Sequence, residues 1–245
     1  MPISSKESAP GAGASRSLRI IDRHPLVIRL THWINVLCMT VLLMSGLQIF
    51  NAHPVLYWGN ASNFGNPLVA IGVFPDWATL PGSQWLAMGR RWHFFFAWLF
   101  VANGTVYALL AISGAHLRRD LVPSQQDLGQ IGHSIWQHMG LRFPKGAEAK
   151  RYNVLQKLTY LVVLFLLCPL IVLAGLAMSP QLNAGYPWLL WLLDGRQSAR
   201  TVHFVCAFCL LAFVVLHLLM VLVSGVWNNI RSMITGWYDI GEEHG

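Results

Sequence analysis

The sequence predicts an all-α fold, a transmembrane four-helix bundle, and three observations predict it. Only 11% of the 245 residues are charged and 55% are hydrophobic, where a soluble domain averages about 25% charged. The apolar residues gather into four long runs, each near the roughly 20 residues that a helix needs to cross a bilayer. The 17 Lys and Arg stand between these runs or at their edges. That distribution assigns the net charge of +7 to membrane topology rather than to nucleic-acid binding.

Taken in order, residues 1–19 open with MPISSKESAPGAGAS, which is small, polar and without an apolar signal-peptide core. They are expected to form a disordered tail. The first helix is expected over about 26–50, with no charged residue after Arg29. The stretch NPLVAIGVFPDW, Asn66 to Trp77, is apolar but too short to span. It reads as an interfacial or re-entrant piece, or a cap over one end of the bundle. The second helix is expected over about 91–115, the third over 155–178 and the fourth over 202–227. Pro169 should kink the third, where neighbouring helices can satisfy the freed backbone groups. Residues 20–235 thus make one four-helix membrane domain, and 236–245 a second tail. Trp33, Tyr57, Trp58, Trp92, Tyr152, Trp188, Trp191, Trp227 and Trp237 fall near the expected ends, as an interfacial aromatic belt does.

Orientation follows from the basic residues. Thirteen of the 17 Lys and Arg lie before or just inside the first helix, between the second and third or just inside the third, or after the fourth, against four at the other two loops. Both termini and the 116–154 loop are therefore expected in the cytoplasm. Cys38, Cys168, Cys206 and Cys209 all lie in apolar runs and read as small hydrophobes. Cys206 and Cys209 form C-x-x-C without a following His, so the c-type haem attachment pattern is absent.

Four histidines occupy the spans: His32, His93, His203 and His217. Ionisable residues there are costly and functional by default. Any one alone could simply hydrogen-bond a neighbouring helix. Their depths, however, pair them: His32 with His217 toward the cytoplasmic side, His93 with His203 toward the outer side. His203 and His217 are 14 residues apart, which puts them on one helix face about 21 Å apart. Two haems stacked along the bundle, each between two imidazoles, satisfy that geometry, and bis-histidine ligation leaves no open position on iron. Gly46 follows His32 by 14 residues, and Gly104 follows His93 by 11. Each helix so offers a histidine to one level and a side-chain-free surface to the other, the clearance a flat porphyrin needs. Close helix packing is the alternative use of such glycines. Arg90, Arg91, Arg196 and Arg200 outside, with Arg29 and Lys157 inside, could meet haem propionates or serve only as interface charges. His24, His53, His116, His133, His138 and His244 fall in loops or at ends, and the His133/His138 pair has no further ligand to make a metal site.

The segments RLTHWIN (Arg29 to Asn35), RRWH (Arg90 to His93) and H-x13-H (His203 to His217) carry a family resemblance that extends over about residues 20–235. The chain resembles bacterial cytochrome b561 and the b-type cytochromes of nickel–iron hydrogenases, a family that includes the formate dehydrogenase gamma subunits. HPLVIRLTHWINV, LYWG and the closing MITGWY are closest to membrane-anchor subunits like that of thiosulfate reductase. The resemblance implies two haem b groups, ligated by His32 with His217 and by His93 with His203. It also implies a multi-pass protein of the bacterial inner membrane that moves electrons between the quinone pool and a peripheral molybdopterin or iron–sulfur oxidoreductase subunit. Asn35, Tyr152, Asn153, Gln156 and Lys157 are expected near a quinone cavity, or else are interface polar residues. The competing expectation is a stand-alone superoxide:quinone oxidoreductase, with Arg90, Arg91, Arg196 and Arg200 steering the anion. A transporter or structural anchor using the histidines for proton relay is the third class.

Overall fold

The computed structural model describes residues 20–22, 24–82, 85–113 and 154–239. The 1–19 tail, residues 116–153 of the long loop (with His116, His133, His138, Tyr152 and Asn153) and His244 lie outside them. Among the described residues, four helices are long and apolar enough to cross a membrane. Within those residues the fold is all-α but for two short antiparallel strand pairs.

Helix α1, Leu26–Phe50, starts directly after Pro25 and matches the expected span. Helix α2 covers Leu86–Ser113 and begins five residues before the expected 91. Leu86, Ala87 and Met88 are good helix formers, so Arg90 and Arg91 lie inside the helix rather than ahead of it. The third span comprises α3 (Val154–Val162), a π-helical turn (Val163–Leu167) and α4 (Cys168–Ala177). The π turn immediately precedes Pro169, which has no N–H to give the preceding turn. Two short helices, α5 (Pro180–Gly185) and α6 (Trp188–Leu192), lead to α7, Arg196–Val223.

The fourth span differs from expectation at both ends. It starts at Arg196 rather than 202 because Asp194 (φ 56°) and Gly195 (φ 109°) turn the chain sharply just before it. A Cβ on Gly195 would stand 2.6 Å from the carbonyl carbon and oxygen of Gly59, so only glycine fits that left-handed turn. It stops at Val223, and Gly225 (φ 99°) redirects the chain into a separate helix α8, Val226–Thr235. Trp227 belongs to α8, not to the span. Nor are residues 236–239 only a tail. Strand β4, Trp237–Asp239, pairs antiparallel with β1, Ile20–Asp22, in the register Ile20↔Asp239.

Helix α1 packs chiefly on α2, and α4 on α7; neither α1 nor α2 packs extensively along α7. Small residues make the tight contacts: Ala177 and Ala199 are fully buried in one cluster with Leu189, as expected where close helix approach replaces hydrophobic drive. Large apolar side chains such as Trp98, Leu109, Leu216 and Leu222 point outward, toward lipid.

The 66–77 stretch forms part of a hairpin over one end. Strand β2 (Val55–Leu56) pairs with β3 (Val69–Ala70), and a 3-10 turn follows at Asp76–Ala78. Asn51 holds it from α1, its Nδ2 donating to the Phe74 carbonyl at 2.9 Å while its Oδ1 accepts from the Phe74 N–H at 2.8 Å. The start of α7 holds the other side. Ser198 Oγ accepts from the Gly59 N–H at 2.6 Å, Thr201 Oγ1 donates to the Tyr57 carbonyl at 2.7 Å, and Trp58 Nε1 donates to Asp194 Oδ2 at 2.8 Å.

Candidate functional site

The four span histidines meet in two pairs, each joining α7 to the α1–α2 half of the bundle. The ring centroids of His32 and His217 are 6.3 Å apart, and those of His93 and His203 are 6.0 Å apart. An imidazole–metal bond of about 2 Å on each side, plus a ring radius of about 1.1 Å, separates two trans imidazole centroids by about 6.2 Å. Both pairs therefore stand at a spacing at which two imidazoles could hold one metal between them. Among the described residues, no group of three His, Cys, Asp or Glu converges to hold a metal ion. A metal that arrives with its remaining donors, as the iron of a porphyrin does, would suit either pair.

At the His93 level the hydrogen bonds settle which ring nitrogen carries the proton. His203 Nδ1 lies 2.8 Å from the carbonyl oxygen of Ile171 in α4. A carbonyl only accepts, so Nδ1 carries the proton and the Nε2 lone pair is free. Ser45 Oγ donates to the Val41 carbonyl at 2.6 Å, so its contact with His93 Nδ1 at 3.1 Å accepts from Nδ1–H. His93 also keeps Nε2 available. Metal-bound histidines almost always donate their other N–H in this way, which orients the ring.

Two glycines make room for these rings. A Cβ on Gly46 would stand 3.4 Å from His93 Cε1, and one on Gly175 would stand 3.3 Å from His203 Cε1. The group that Gly46 clears is thus the His93 ring itself. Gly104 has nothing within 4 Å of the position its Cβ would take, an open flank on α2. Gly175 lies one turn after Ile171, so a side chain there would push His203 off its carbonyl.

The His32 level is less constrained. His32 meets Trp33 edge-on, with centroids 5.3 Å apart, and Phe213 stacks on His217 at 6.2 Å. His32 Nδ1 is buried with no hydrogen-bond partner among the described residues. Buried polar atoms are nearly always satisfied, and a bound group with its ordered water can supply the missing partner. Behind this level, Asn103 Nδ2 donates to the Thr31 carbonyl at 2.9 Å and to Asn35 Oδ1 at 2.7 Å. Asn35, read from sequence as a cavity residue, is therefore engaged within the α1–α2 seam.

The arginines divide. Arg90, Arg91 and Arg196 are exposed at the His93 end. Arg200 is half-buried, donates to the His53 carbonyl and lies over the Phe50 ring at 5.3 Å. Arg29 donates to the Ile234 carbonyl at 2.6 Å. The side chains of Gln156 and Lys157 lie outside the described ones. His53, in the loop after α1, has its Nε2 3.1 Å from the Tyr57 hydroxyl, and the two rings are stacked.

Ser45, Ile171 and Gly175 were not singled out from sequence. Gly175 alone left a signal, a third span glycine whose helix carries no histidine.

The profile of the prokaryotic cytochrome b561 family matches residues 23–236. The chain is 30% identical over 230 residues to the "Putative protein-methionine-sulfoxide reductase subunit YedZ1" of Azospira oryzae, covering 90% of this chain and 99% of that protein.

Proposed function

The chain belongs to the prokaryotic cytochrome b561 family, and from that membership we propose that it is a di-haem electron relay between the quinone pool and a partner oxidoreductase. The observation that carries the proposal is the pair of imidazole spacings, 6.3 and 6.0 Å, at two levels of one bundle. His32 and His217 would hold one haem b, and His93 and His203 the other. Haem b, when bound, supplies a one-electron couple, and two histidines on its iron leave no site for a substrate.

The protein's own part is to position and insulate. Ser45 and the Ile171 carbonyl fix the tautomers of His93 and His203. Gly46 and Gly175 let those rings approach their helices, and Phe213 backs His217. The rise along α7 separates the two levels by about 21 Å, so two carriers divide the membrane's thickness into short steps.

The relative is named as a subunit of a reductase of methionine sulfoxide in proteins. That name supports a separate oxidoreductase as this chain's partner, of the molybdopterin or iron–sulfur type, supplied with electrons from quinol. The basic loops support placing the His32 end on the cytoplasmic side of a bacterial inner membrane. The test is a dithionite-reduced minus oxidised spectrum with a pyridine haemochrome assay, followed by reduction with quinol in proteoliposomes. The expected result is two low-spin b haems per chain, both reduced by quinol. A protein without haem after haem-sufficient expression overturns the proposal, and two haems inert to quinol overturn the relay.

A further inference from the structure

Helix α8 is built inside out. Its packed side is polar: Ser232 is 1% exposed, with Asn228 and Asn229 half-buried beside it. Its open side is apolar: Trp227 is 81% and Ile234 is 61% exposed, seven residues apart on one face. A surface helix in water shows the reverse pattern, with its apolar stripe turned to the core. Arg231 is exposed on the same open side, about 40° from Trp227 and about 60° from Ile234 by helical angle.

The depth of α8 is set by its contacts. Arg29 Nη1 donates to the Ile234 carbonyl at 2.6 Å, and Trp33 Nε1 donates to the Met233 carbonyl at 3.0 Å. Both donors lie in the first two turns of the α1 span, so the end of α8 is level with that span's entry into the bilayer. Along the chain the open face follows directly on the exposed apolar end of α7, where Leu218, Leu219, Leu222 and Val223 are exposed up to the turn at Gly225. An apolar face that follows a lipid-facing belt at interfacial depth has lipid as its natural occupant.

We propose that α8 lies in the plane of the membrane surface, with Trp227 and Ile234 in the acyl–headgroup boundary and Arg231 bound to the phosphate of an anionic lipid. Through the Arg29 and Trp33 bonds, this lipid-seated helix steadies the turn of α1 that carries His32. The inference needs only the membrane span, and stands apart from the haem and quinone reading.

The test uses the full chain in its own membrane. p-Benzoylphenylalanine is placed singly at Trp227 and at Ile234, with Leu219 on α7 as a lipid-facing control, and adducts are read by mass spectrometry after illumination. Lipid adducts at both α8 positions are expected, as at Leu219. Cross-linked dimers, adducts to another polypeptide, or no adduct where Leu219 gives one would overturn the proposal. Arg231→Gln is then compared with the parent for co-purified anionic against zwitterionic lipid. The ratio should fall about fivefold, the weight of one cation near an anionic surface. An unchanged ratio would remove the headgroup contact from the proposal.

Discussion

His203 Nδ1 stands 2.8 Å from the carbonyl oxygen of Ile171, and this bond ties the central helix of the site to the third span. It aims the ring of His203 at His93. It also explains why α4 has Gly175 one turn further on, where a Cβ would meet His203 Cε1 at 3.3 Å.

Filling that position should therefore empty one level only. Gly175→Val is expected to leave about one haem per chain in place of two, as should His93→Ala, while His32→Ala empties the other level. Pyridine haemochrome stoichiometry reads all three. Two haems retained in Gly175→Val would mean that His203 does not need its present position to bind.

Ser45→Ala removes the acceptor for His93 Nδ1–H without touching either ring directly. Loss of such an orienting partner weakens binding by roughly 10–100-fold. Haem release to apomyoglobin should accelerate by a similar factor at the His93 level alone, and the redox midpoint of that level should shift. Identical release kinetics in the variant and the parent would show the serine to be only a packing residue.

Gly195→Ala tests how the hairpin is seated. The substitution forces a side chain into a backbone at φ 109°, against the carbonyl group of Gly59. A cost of roughly 1–3 kcal/mol is expected, seen as a lower midpoint of thermal unfolding in detergent. A midpoint equal to the parent's would show that the hairpin shifts freely from α7.

The superoxide reading makes a separate prediction. Arg90, Arg91 and Arg196 are exposed at the His93 end, but Arg200 is engaged with the His53 carbonyl and the Phe50 ring. Under the relay proposal, stopped-flow mixing with superoxide reduces the haems no faster than background. Fast reduction that slows in an Arg90→Gln, Arg91→Gln variant would replace the relay by superoxide oxidation.

The spans were legible because hydropathy over about 20 residues is a strong, local signal. The histidine pairs were legible because two of them share one helix face, so a single helical period sets both levels. What surrounds the rings was not. Ser45, Ile171 and Gly175 act across helix seams, and their meaning depends on how α1 and α4 are rotated against α2 and α7. The breaks at Gly195 and Gly225 also escaped reading, because glycine inside or beside a membrane helix carries no fixed conformation until a neighbour such as Gly59 closes in. Helix α8 was hidden for another reason: its first two residues, Val226 and Trp227, extended the apolar run of the fourth span, and Asn228, Asn229, Arg231 and Ser232 then broke the run without marking a new helix.

The bonds from α8 to α1 also impose an order on synthesis. Arg29 and Ile234 are 205 residues apart, so at about 5–20 residues per second the start of α1 waits roughly 10–40 s for its holding partner to be made. Under the proposed ligation, the His93 level would have both its histidines once residue 203 has emerged. The His32 level would gain His217 later, and the α8 contacts later still. Assembly of the two levels is therefore sequential, and a ribosome stalled before α8 would release a chain furnished at one end and open at the other.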